Sequence, residues 1–120
     1  MNNLYDVNNI FAKILRSEVP CNKILENEYA LAFSDINPQA PIHTLVIPKN
    51  PYINFHDFTK NASTKEHESF WKLVNAVIEH YKVEGEGFRI ITNSGNNGNQ
   101  DVPHFHVHLL GGENLGRMIG

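Results

Sequence analysis

The chain has 120 residues, which is enough for one domain and too few for two domains of ordinary size. Apolar residues make up 41% of it and charged residues 19%, as in a typical soluble protein. The formal net charge of −3 argues against a broad basic surface for nucleic acid, which needs clustered Lys and Arg, but it is compatible with binding a single mononucleotide.

The N-terminal part of the chain predicts one short helix. Apolar residues follow helical spacing from Ile10 to Leu15. Asn8 or Asn9 is suited to cap the first turn, and Pro20 closes the segment.

Three strands are predicted next. Lys23–Glu26 and Tyr29–Phe33 are predicted as two short strands of a hairpin, with Asn27 and Glu28 as the tight turn between them. Residues 35–41 form a loop, because they are rich in Pro and Asn. The third strand is His43–Ile47, and a proline ends it.

The longest predicted helix begins at a capping box formed by Ser63 and Glu66. Its apolar stripe comprises Phe70, Val74, Val77, Ile78 and Tyr81. The glycines at positions 85 and 87 are expected to end it.

Two more strands are predicted in the last third of the chain, Phe88–Thr92 and His104–Leu110. The loop between them, Asn93–Gln100, is rich in Gly and Asn. Two helices and about five strands, mostly joined by short loops, predict a single α+β domain over residues 1–120 with an antiparallel sheet.

Three histidines alternate with apolar residues in the last predicted strand. Because successive side chains of a strand point to opposite faces, His104, His106 and His108 share one face, while the apolar residues between them enter the core. Neighbouring imidazoles on one face lie about 7 Å apart at the backbone, so their side chains can converge on one small anion or metal ion.

This pattern has three possible explanations. An ordinary half-exposed strand needs polar outer positions, but Thr, Lys or Glu would serve there as well as three histidines. A His-x-His pair with a third His can bind zinc, although only Asp101 lies nearby as a further ligand. The third explanation is phosphate chemistry, because a neutral imidazole is a good nucleophile and neighbours that titrate near pH 6.5 donate hydrogen bonds or carry positive charge.

Two glycine-containing segments favour phosphate chemistry. The loop Asn93–Gln100 directly precedes the histidine strand and can bring backbone N–H groups close to an anion. Gly111 and Gly112 follow the strand and permit a sharp turn or the close approach of a ligand or a partner backbone.

The segment His104–Leu110 resembles the His-φ-His-φ-His-φ-φ signature of the histidine triad family, in which φ is an apolar residue. The following Gly111 and Gly112 resemble the family's branch of histidine triad nucleotide-binding proteins. The resemblance covers nearly the whole chain in the family's order, and it includes the segments 10–20, 33–41, 43–49 and 93–100.

The resemblance implies a role for each residue of the site. His106 matches the nucleophile that forms a nucleotidyl-histidine intermediate, and His104 and His108 match the flanking members that orient it and contact phosphate oxygens. His43 matches a fourth histidine of the same catalytic pocket. The implied nucleotide-binding residues are Asp35 at the ribose, Ile36 and Phe11 at the base, Asn93 near the ribose and phosphate, and also Gln100 and Asp101.

One position departs from the family pattern. Asp101 stands where many relatives have a serine that is implicated in handling the leaving group. An aspartate accepts a hydrogen bond or a proton, but its charge repels phosphate. Leaving-group preference and turnover are therefore expected to depend on Asp101.

The resemblance further implies a homodimer with a continuous sheet, paired across the long helix and the triad-side strand. The implied reaction is hydrolysis of a purine nucleoside phosphoramidate, in which the P–N bond of an AMP or GMP amide breaks and no metal or other cofactor is required. The expected partners are a purine nucleoside monophosphate or its phosphoramidate and a second copy of the chain, without nucleic acid or membrane.

Three other functions stay open. A dinucleoside polyphosphate hydrolase is one, and the Gly111-Gly112 pair weighs against it. The second is a nucleotide-binding regulator with little catalysis, which is compatible with the charge of Asp101 at a position where many relatives have serine. A metal-dependent hydrolase is the third.

Two features favour a cytoplasmic location. Cys21 is the only cysteine, so it forms no disulfide within the chain and a reducing compartment fits best. The N-terminal residues, Met1–Asn9, lack a basic segment followed by an apolar run, and no stretch approaches the roughly 20 apolar residues of a membrane helix. We therefore expect a cytoplasmic protein.

Overall fold

The computed structural model describes residues 4–119, which form three helices and five strands. The helices are α1 (Ile10–Leu15), α2 (Phe55–Asn61) and α3 (Thr64–Tyr81). The strands are β1 (Lys23–Glu26), β2 (Ala30–Ser34), β3 (Ile42–Pro48), β4 (Phe88–Ile91) and β5 (Val107–Gly111). Residues 1–3 and 120 lie outside the described residues. The predicted domain over residues 1–120 includes them, and the prediction for Met1–Asn9 includes the first three. None of the three helices is long and apolar enough to span a membrane.

All five strands pair antiparallel in one sheet, in the order β1-β2-β3-β5-β4. The predicted α+β fold with a five-stranded antiparallel sheet is confirmed. β5 lies between β3 and β4, where His108 pairs with Leu45 on one side and Ile91 on the other. The last strand is therefore held from both sides, whereas β1 and β4 form the edges.

The sheet separates two apolar clusters. The α3-side cluster lies where α3 packs over β1, β2 and β3, and it includes Val46 and Val107. The α1-side cluster, on the opposite face, consists of Phe11, Leu31, Phe33, Leu45 and Ile47 with partly buried neighbours. Because alternate residues of a strand face opposite sides, His43 shares the α1 side with Leu45.

Local hydrogen bonds define where the helices begin and end. The Asn9 side chain caps α1 by accepting from the N–H of Ala12 at 2.9 Å. The capping box predicted for α3 is confirmed, since Ser63 Oγ accepts from the N–H of Glu66 at 3.1 Å and Glu66 Oε1 accepts from the N–H of Ser63 at 2.9 Å. α3 ends before Lys82, which takes the left-handed conformation with φ of 57°, and not at the glycines 85 and 87.

Helix α2 has no counterpart in the sequence prediction, which gave two helices. Its one buried residue is Phe58, whose ring stacks on Phe105 with centroids 4.8 Å apart. A helix of seven residues with a single buried side chain has no apolar repeat for periodicity to reveal. α2 nevertheless contributes to the site, because Phe58 packs against Phe105, the residue between His104 and His106.

The last strand is shorter than predicted. β5 covers Val107–Gly111 and not His104–Leu110, because Phe105 donates its N–H to the carbonyl of Tyr52 at 2.7 Å, outside the ladder. The alternation of side chains persists through this segment, since the apolar residues 105, 107 and 109 all join the α3-side cluster. The histidines between them consequently lie on the α1 side.

Candidate active site

Four imidazole rings meet on the α1 side of the sheet. His43 comes from β3, His108 from β5, and His104 and His106 from the segment directly before β5. The ring centroids of His106 and His108 lie 5.0 Å apart, and those of His43 and His108 lie 5.2 Å apart. The structure thus brings together the four histidines that the sequence analysis names as catalytic.

The backbone selects the tautomer of His106. Nδ1 of His106 lies 2.7 Å from the carbonyl oxygen of His104, and a carbonyl only accepts, so Nδ1 carries the proton and Nε2 keeps its lone pair. Nε2 has no hydrogen-bond partner among residues 4–119, whereas every fully buried side-chain nitrogen or oxygen there has one. Although only 2% of His106 is exposed, solvent therefore reaches its unprotonated nitrogen.

A second chain of hydrogen bonds selects the tautomers of His43 and His108. The backbone N–H of Gln39 donates to Nδ1 of His43 at 3.0 Å, so the proton of the neutral ring lies on Nε2. Nε2 of His43 then donates to Nδ1 of His108 at 2.9 Å. The remaining proton of His108 is consequently on its Nε2, which has no hydrogen-bond partner among the described residues. A lone pair on His106 and an N–H donor on His108 stand side by side.

His104 is the most enclosed of the four rings. Its Nε2 donates to the carbonyl of Pro48 at 2.8 Å, and its Nδ1 accepts from the hydroxyl of Tyr5. Both ring nitrogens are therefore engaged within the protein, which corrects the expectation that His104 contacts phosphate oxygens. Its orienting role fits the structure, because its carbonyl holds the ring of His106.

Burial favours the neutral form of His43, His104 and His108. Desolvation lowers the pKa of His104 to about 4 and that of His108 to about 4, and positive charge on His106 acts in the same direction on both. Desolvation also lowers the pKa of His43, although Asp35 opposes the effect. The expectation that these neighbours of His106 titrate near pH 6.5 is therefore wrong, and at neutral pH they offer hydrogen bonds and not positive charge.

Two carboxylates face the histidines. Oδ2 of Asp35 lies 3.4 Å from Nε2 of His43, and Oδ1 of Asp101 lies 3.6 Å from Nε2 of His106. The Asp35 side chain is mostly buried, and its Oδ1 accepts from the N–H of Asn37 at 2.8 Å. The Asp101 side chain is 79% exposed. Asp35 is thus fixed at the edge of the site, whereas Asp101 projects from solvent toward the unprotonated nitrogen.

Phe11, predicted at the base, lies against the nucleophile candidate. Its ring meets His106 edge to face with centroids 4.9 Å apart and meets Phe33 at 5.6 Å. Ile36 follows Asp35 with its side chain completely exposed, and Asn93 is half-buried at the end of β4. The contacts predicted between these residues and a nucleotide stay predictions.

The loop before the triad is fixed by Gln100. Its Nε2 donates to the carbonyls of Ile53 and Val102, at 2.7 and 2.9 Å, and its Oε1 accepts from the N–H of Gly95 at 3.0 Å. One of the backbone N–H groups of the loop that was expected to approach an anion is thus used within the loop. A Cβ at Gly98 would lie 2.6 Å from the carbonyl oxygen of Ser94, so only glycine fits there. Gln100 positions the segment that leads to His104, and a direct nucleotide contact stays a prediction.

Gly112 brings another loop close to the site. Its φ is 92°, and a Cβ there would lie 2.9 Å from Cβ of Pro41. The segment that approaches Gly112 closely is therefore the loop 35–41 of the same chain. This loop carries Asp35 and the N–H of Gln39.

Several groups that position the site escaped the sequence analysis. They are the N–H of Gln39, the carbonyl of Pro48, the hydroxyl of Tyr5 and the hydroxyl of Thr92, which donates to the carbonyl of His106 at 2.7 Å. Backbone groups leave no signal in residue types, and Tyr5 lies far from the triad in the chain.

One set of residues has the spacing of a metal site. Ligand atoms of Asp35, His43 and His108 lie within 4.8 Å of one another. A metal on Nε2 of neutral His43 would place the ring proton on Nδ1, where it would face the N–H of Gln39. His104 does not complete a three-histidine site, because both its nitrogens are engaged. These hydrogen bonds fit the metal-free tautomers.

The chain resembles known proteins over most of its length. The HIT domain family matches residues 16–115. An uncharacterized HIT-like protein of Azospirillum brasilense is 50% identical over 115 residues, which cover 96% of this chain and 94% of that protein. The purine nucleoside phosphoramidase of Escherichia coli (strain K12) is 39% identical over 92% of each chain. A HIT family hydrolase from Legionella pneumophila has a TM-score of 0.85 and 32% identity, over 94% of this chain and 100% of that one.

We expect the protein to lose stability as the pH falls from about 6.5 to about 4. The unfolded chain binds protons at His104 and His108 with a pKa near 6.5, whereas in the folded state the pKa of each is about 4, so acid favours unfolding. For His104 the difference corresponds to a free energy of the order of 3 kcal/mol. Urea denaturation across this pH range measures it, and His104→Asn should flatten the dependence. An equal slope in wild type and variant contradicts the assignment.

Proposed function

This chain belongs to the histidine triad (HIT) domain family, and we propose that it is a purine nucleoside phosphoramidase, a hydrolase that cleaves the P–N bond of an AMP or GMP amide. The observation that carries the proposal is the solvent-accessible lone pair on Nε2 of His106, which the backbone carbonyl of His104 fixes beside the Nε2–H of His108. A fixed nucleophile next to a fixed donor is what transfer of a phosphoryl centre requires.

In the first step, Nε2 of His106 bonds to the α-phosphorus and the P–N bond breaks. The leaving amine takes the bonding electron pair and one proton from the solvent. The ring, now bonded at Nε2 and protonated at Nδ1, carries positive charge, which the carbonyl of His104 stabilises through the 2.7 Å hydrogen bond. The Nε2–H of His108 donates to a phosphate oxygen.

In the second step, water attacks the phosphorus and the bond to His106 breaks. The water oxygen loses a proton to the solvent, AMP or GMP is released, and the neutral tautomer of His106 is restored. Bound phosphate also favours protonation of His108, because a nearby negative charge raises the pKa of an imidazole.

We assign the nucleoside to the surface beside the histidines. Asp35 holds the ribose hydroxyls, Phe11 and Ile36 contact the purine, and Asn93 lies near the ribose and phosphate. The position of the Phe11 ring next to His106, with centroids 4.9 Å apart, supports this assignment. The partner is one purine mononucleotide or its amide, and we propose a cytoplasmic location without nucleic acid or membrane partners.

We propose that the reaction needs no metal or other cofactor. The imidazoles of His106 and His108 supply the nucleophile and the hydrogen-bond donor, and the tautomer of His43 that Gln39 selects is the one that does not bind a metal at Nε2. Loss of activity on chelation, with recovery on adding zinc, would support the metal-dependent alternative.

The exposed edge of the sheet supports the homodimer. Phe88 and Ile90 on edge strand β4 are each 40% exposed, because α3 packs mainly over the other end of the sheet. The opposite edge, β1, has an irregular register next to Lys23, a feature that discourages pairing. We propose that two copies pair through β4 and form a continuous sheet.

Replacing His106 tests the nucleophile. We expect His106→Ala and His106→Asn to lower kcat for an adenosine phosphoramidate by at least three orders of magnitude while AMP binding is largely retained, because only the bond-forming nitrogen is lost. Steady-state kinetics and calorimetry with AMP measure the two effects, and His80→Ala on the exposed surface of α3 is the control.

The same assay separates the alternatives. Equal rates in wild type and both variants would overturn the role of His106. AMP binding without any turnover by wild type would indicate a nucleotide-binding regulator, and faster cleavage of a diadenosine polyphosphate would indicate the other hydrolase class.

Replacing Asp101 tests how its charge affects the affinity for AMP. The Asp101 carboxylate lies 3.6 Å from the nitrogen that bonds phosphorus, so Asp101→Ser should lower the Kd for AMP about three- to tenfold, with a larger effect at low salt. Glu28→Gln, at an exposed turn, should leave the Kd unchanged. Weaker AMP binding by Asp101→Ser would show that the carboxylate assists binding.

A charge on the β4 edge tests the dimer. We expect Ile90→Lys to halve the mass measured by light scattering, because a buried lysine would disrupt strand pairing. Ile24→Lys on the β1 edge should keep the wild-type mass. A wild-type monomer, or an Ile90→Lys dimer, would contradict the proposed interface.

A further inference from the structure

Tyr5 makes a long-range contact with the triad. Its hydroxyl hydrogen-bonds to Nδ1 of His104, which lies 99 positions away in the chain, and its ring meets the His104 ring edge to face with centroids 5.6 Å apart. Neither step of the proposed reaction involves Tyr5 directly. It is the one side chain among residues 4–119 that hydrogen-bonds to this nitrogen.

The direction of this hydrogen bond follows from the other nitrogen. Nε2 of His104 faces the carbonyl of Pro48, which only accepts, so the single proton of the neutral ring lies on Nε2. Nδ1 must then accept, and Tyr5 must donate. Burial raises the pKa of Tyr5, so its hydroxyl retains the proton at neutral pH.

His104 connects this contact to the nucleophile. The His104 side chain is completely buried, so removing the hydroxyl would leave Nδ1 without a partner and favour rotation of the ring or entry of water. The carbonyl of the same residue holds Nδ1 of His106. A displaced His104 therefore disturbs the hydrogen bond that selects the reactive tautomer.

The segment that carries Tyr5 is held in place by α1. Arg16 Nη1 donates to the carbonyl of Val7 at 2.8 Å, and Asn9, the cap of α1, donates through its side chain to the carbonyl of Asp6 at 2.7 Å. α1 also supplies Phe11, which touches His106. Tyr5 thus reaches the triad from a segment that is hydrogen-bonded to both ends of the helix lining the proposed nucleotide site.

We propose that Tyr5 is a positioning residue, whose hydroxyl holds His104 in the tautomer and orientation that align His106 for attack on phosphorus. The catalytic part of this inference rests on the proposed phosphoramidase function. The structural part, that Tyr5 fixes the tautomer of His104, is independent of any substrate.

Tyr5→Phe keeps the ring and removes the hydroxyl. We expect kcat for an adenosine phosphoramidate to fall about tenfold with KM within a factor of two, because the loss affects alignment of the nucleophile and not nucleotide contacts. Tyr29→Phe is the matched control, since no hydrogen bond of the Tyr29 hydroxyl occurs within residues 4–119, and it should retain wild-type kcat.

Nitrogen-15 NMR of histidine-labelled protein gives the second readout. In wild type, His104 should show a protonated Nε2 and an unprotonated, hydrogen-bonded Nδ1, and His106 a protonated Nδ1. In Tyr5→Phe, the Nδ1 signal of His104 should move toward that of a nitrogen without a donor, and His106 should show a mixture of tautomers. Tyr29→Phe should reproduce the wild-type spectrum.

The outcomes separate the two proposals. Unchanged kcat and histidine shifts in Tyr5→Phe overturn the role of Tyr5, and so does a wild-type spectrum in which Nε2 of His104 is unprotonated. The latter result decides the question even if the variant does not fold. If wild type cleaves no phosphoramidate but the shifts change as expected, the proposed function fails while the tautomer control by Tyr5 stands.

Discussion

The hydrogen bond from Nδ1 of His106 to the carbonyl of His104 is the contact on which the candidate site depends. At 2.7 Å it decides which nitrogen of His106 keeps a lone pair. In the other tautomer, Nε2 would carry a proton and have no lone pair to react. The acceptor belongs to the backbone, so it neither titrates nor rotates away. In the proposed reaction, the same bond stabilises the charge that forms on the ring when Nε2 becomes bonded to phosphorus.

The opposite face of the sheet holds this carbonyl in place. Phe105, between the two histidines, is packed against Phe58 and Phe70 and donates its N–H to Tyr52. Because side chains alternate along an extended chain, an aromatic core on the α3 side fixes the imidazoles on the α1 side. Dense packing around Phe105 leaves the segment little room to shift, which is the precision that a nucleophile needs.

The electrostatics of the site follow from its burial. His104 and His108 stay neutral at physiological pH, and the nearby charged groups Asp35 and Asp101 are acidic. The proposed binding of a phosphate there depends on oriented N–H donors and not on permanent cations. The chain of bonds from Gln39 through His43 to His108 supplies such a donor, because each N–H donates to Nδ1 of the next ring and so keeps the proton of that ring on Nε2.

The sequence by itself determined the five strands, two of the three helices and the gathering of the three triad histidines on one face, since these depend on local periodicity and capping. It did not reveal α2, whose single buried residue gives no repeat, or the early departure of His104–His106 from the ladder. Only the tertiary structure decided the protonation pattern, because it depends on partners distant in the chain, such as Tyr5 and Pro48, and on burial that no residue type reports. Residue types thus identify which side chains can react, whereas the packing of the whole chain decides which nitrogen of each ring does so.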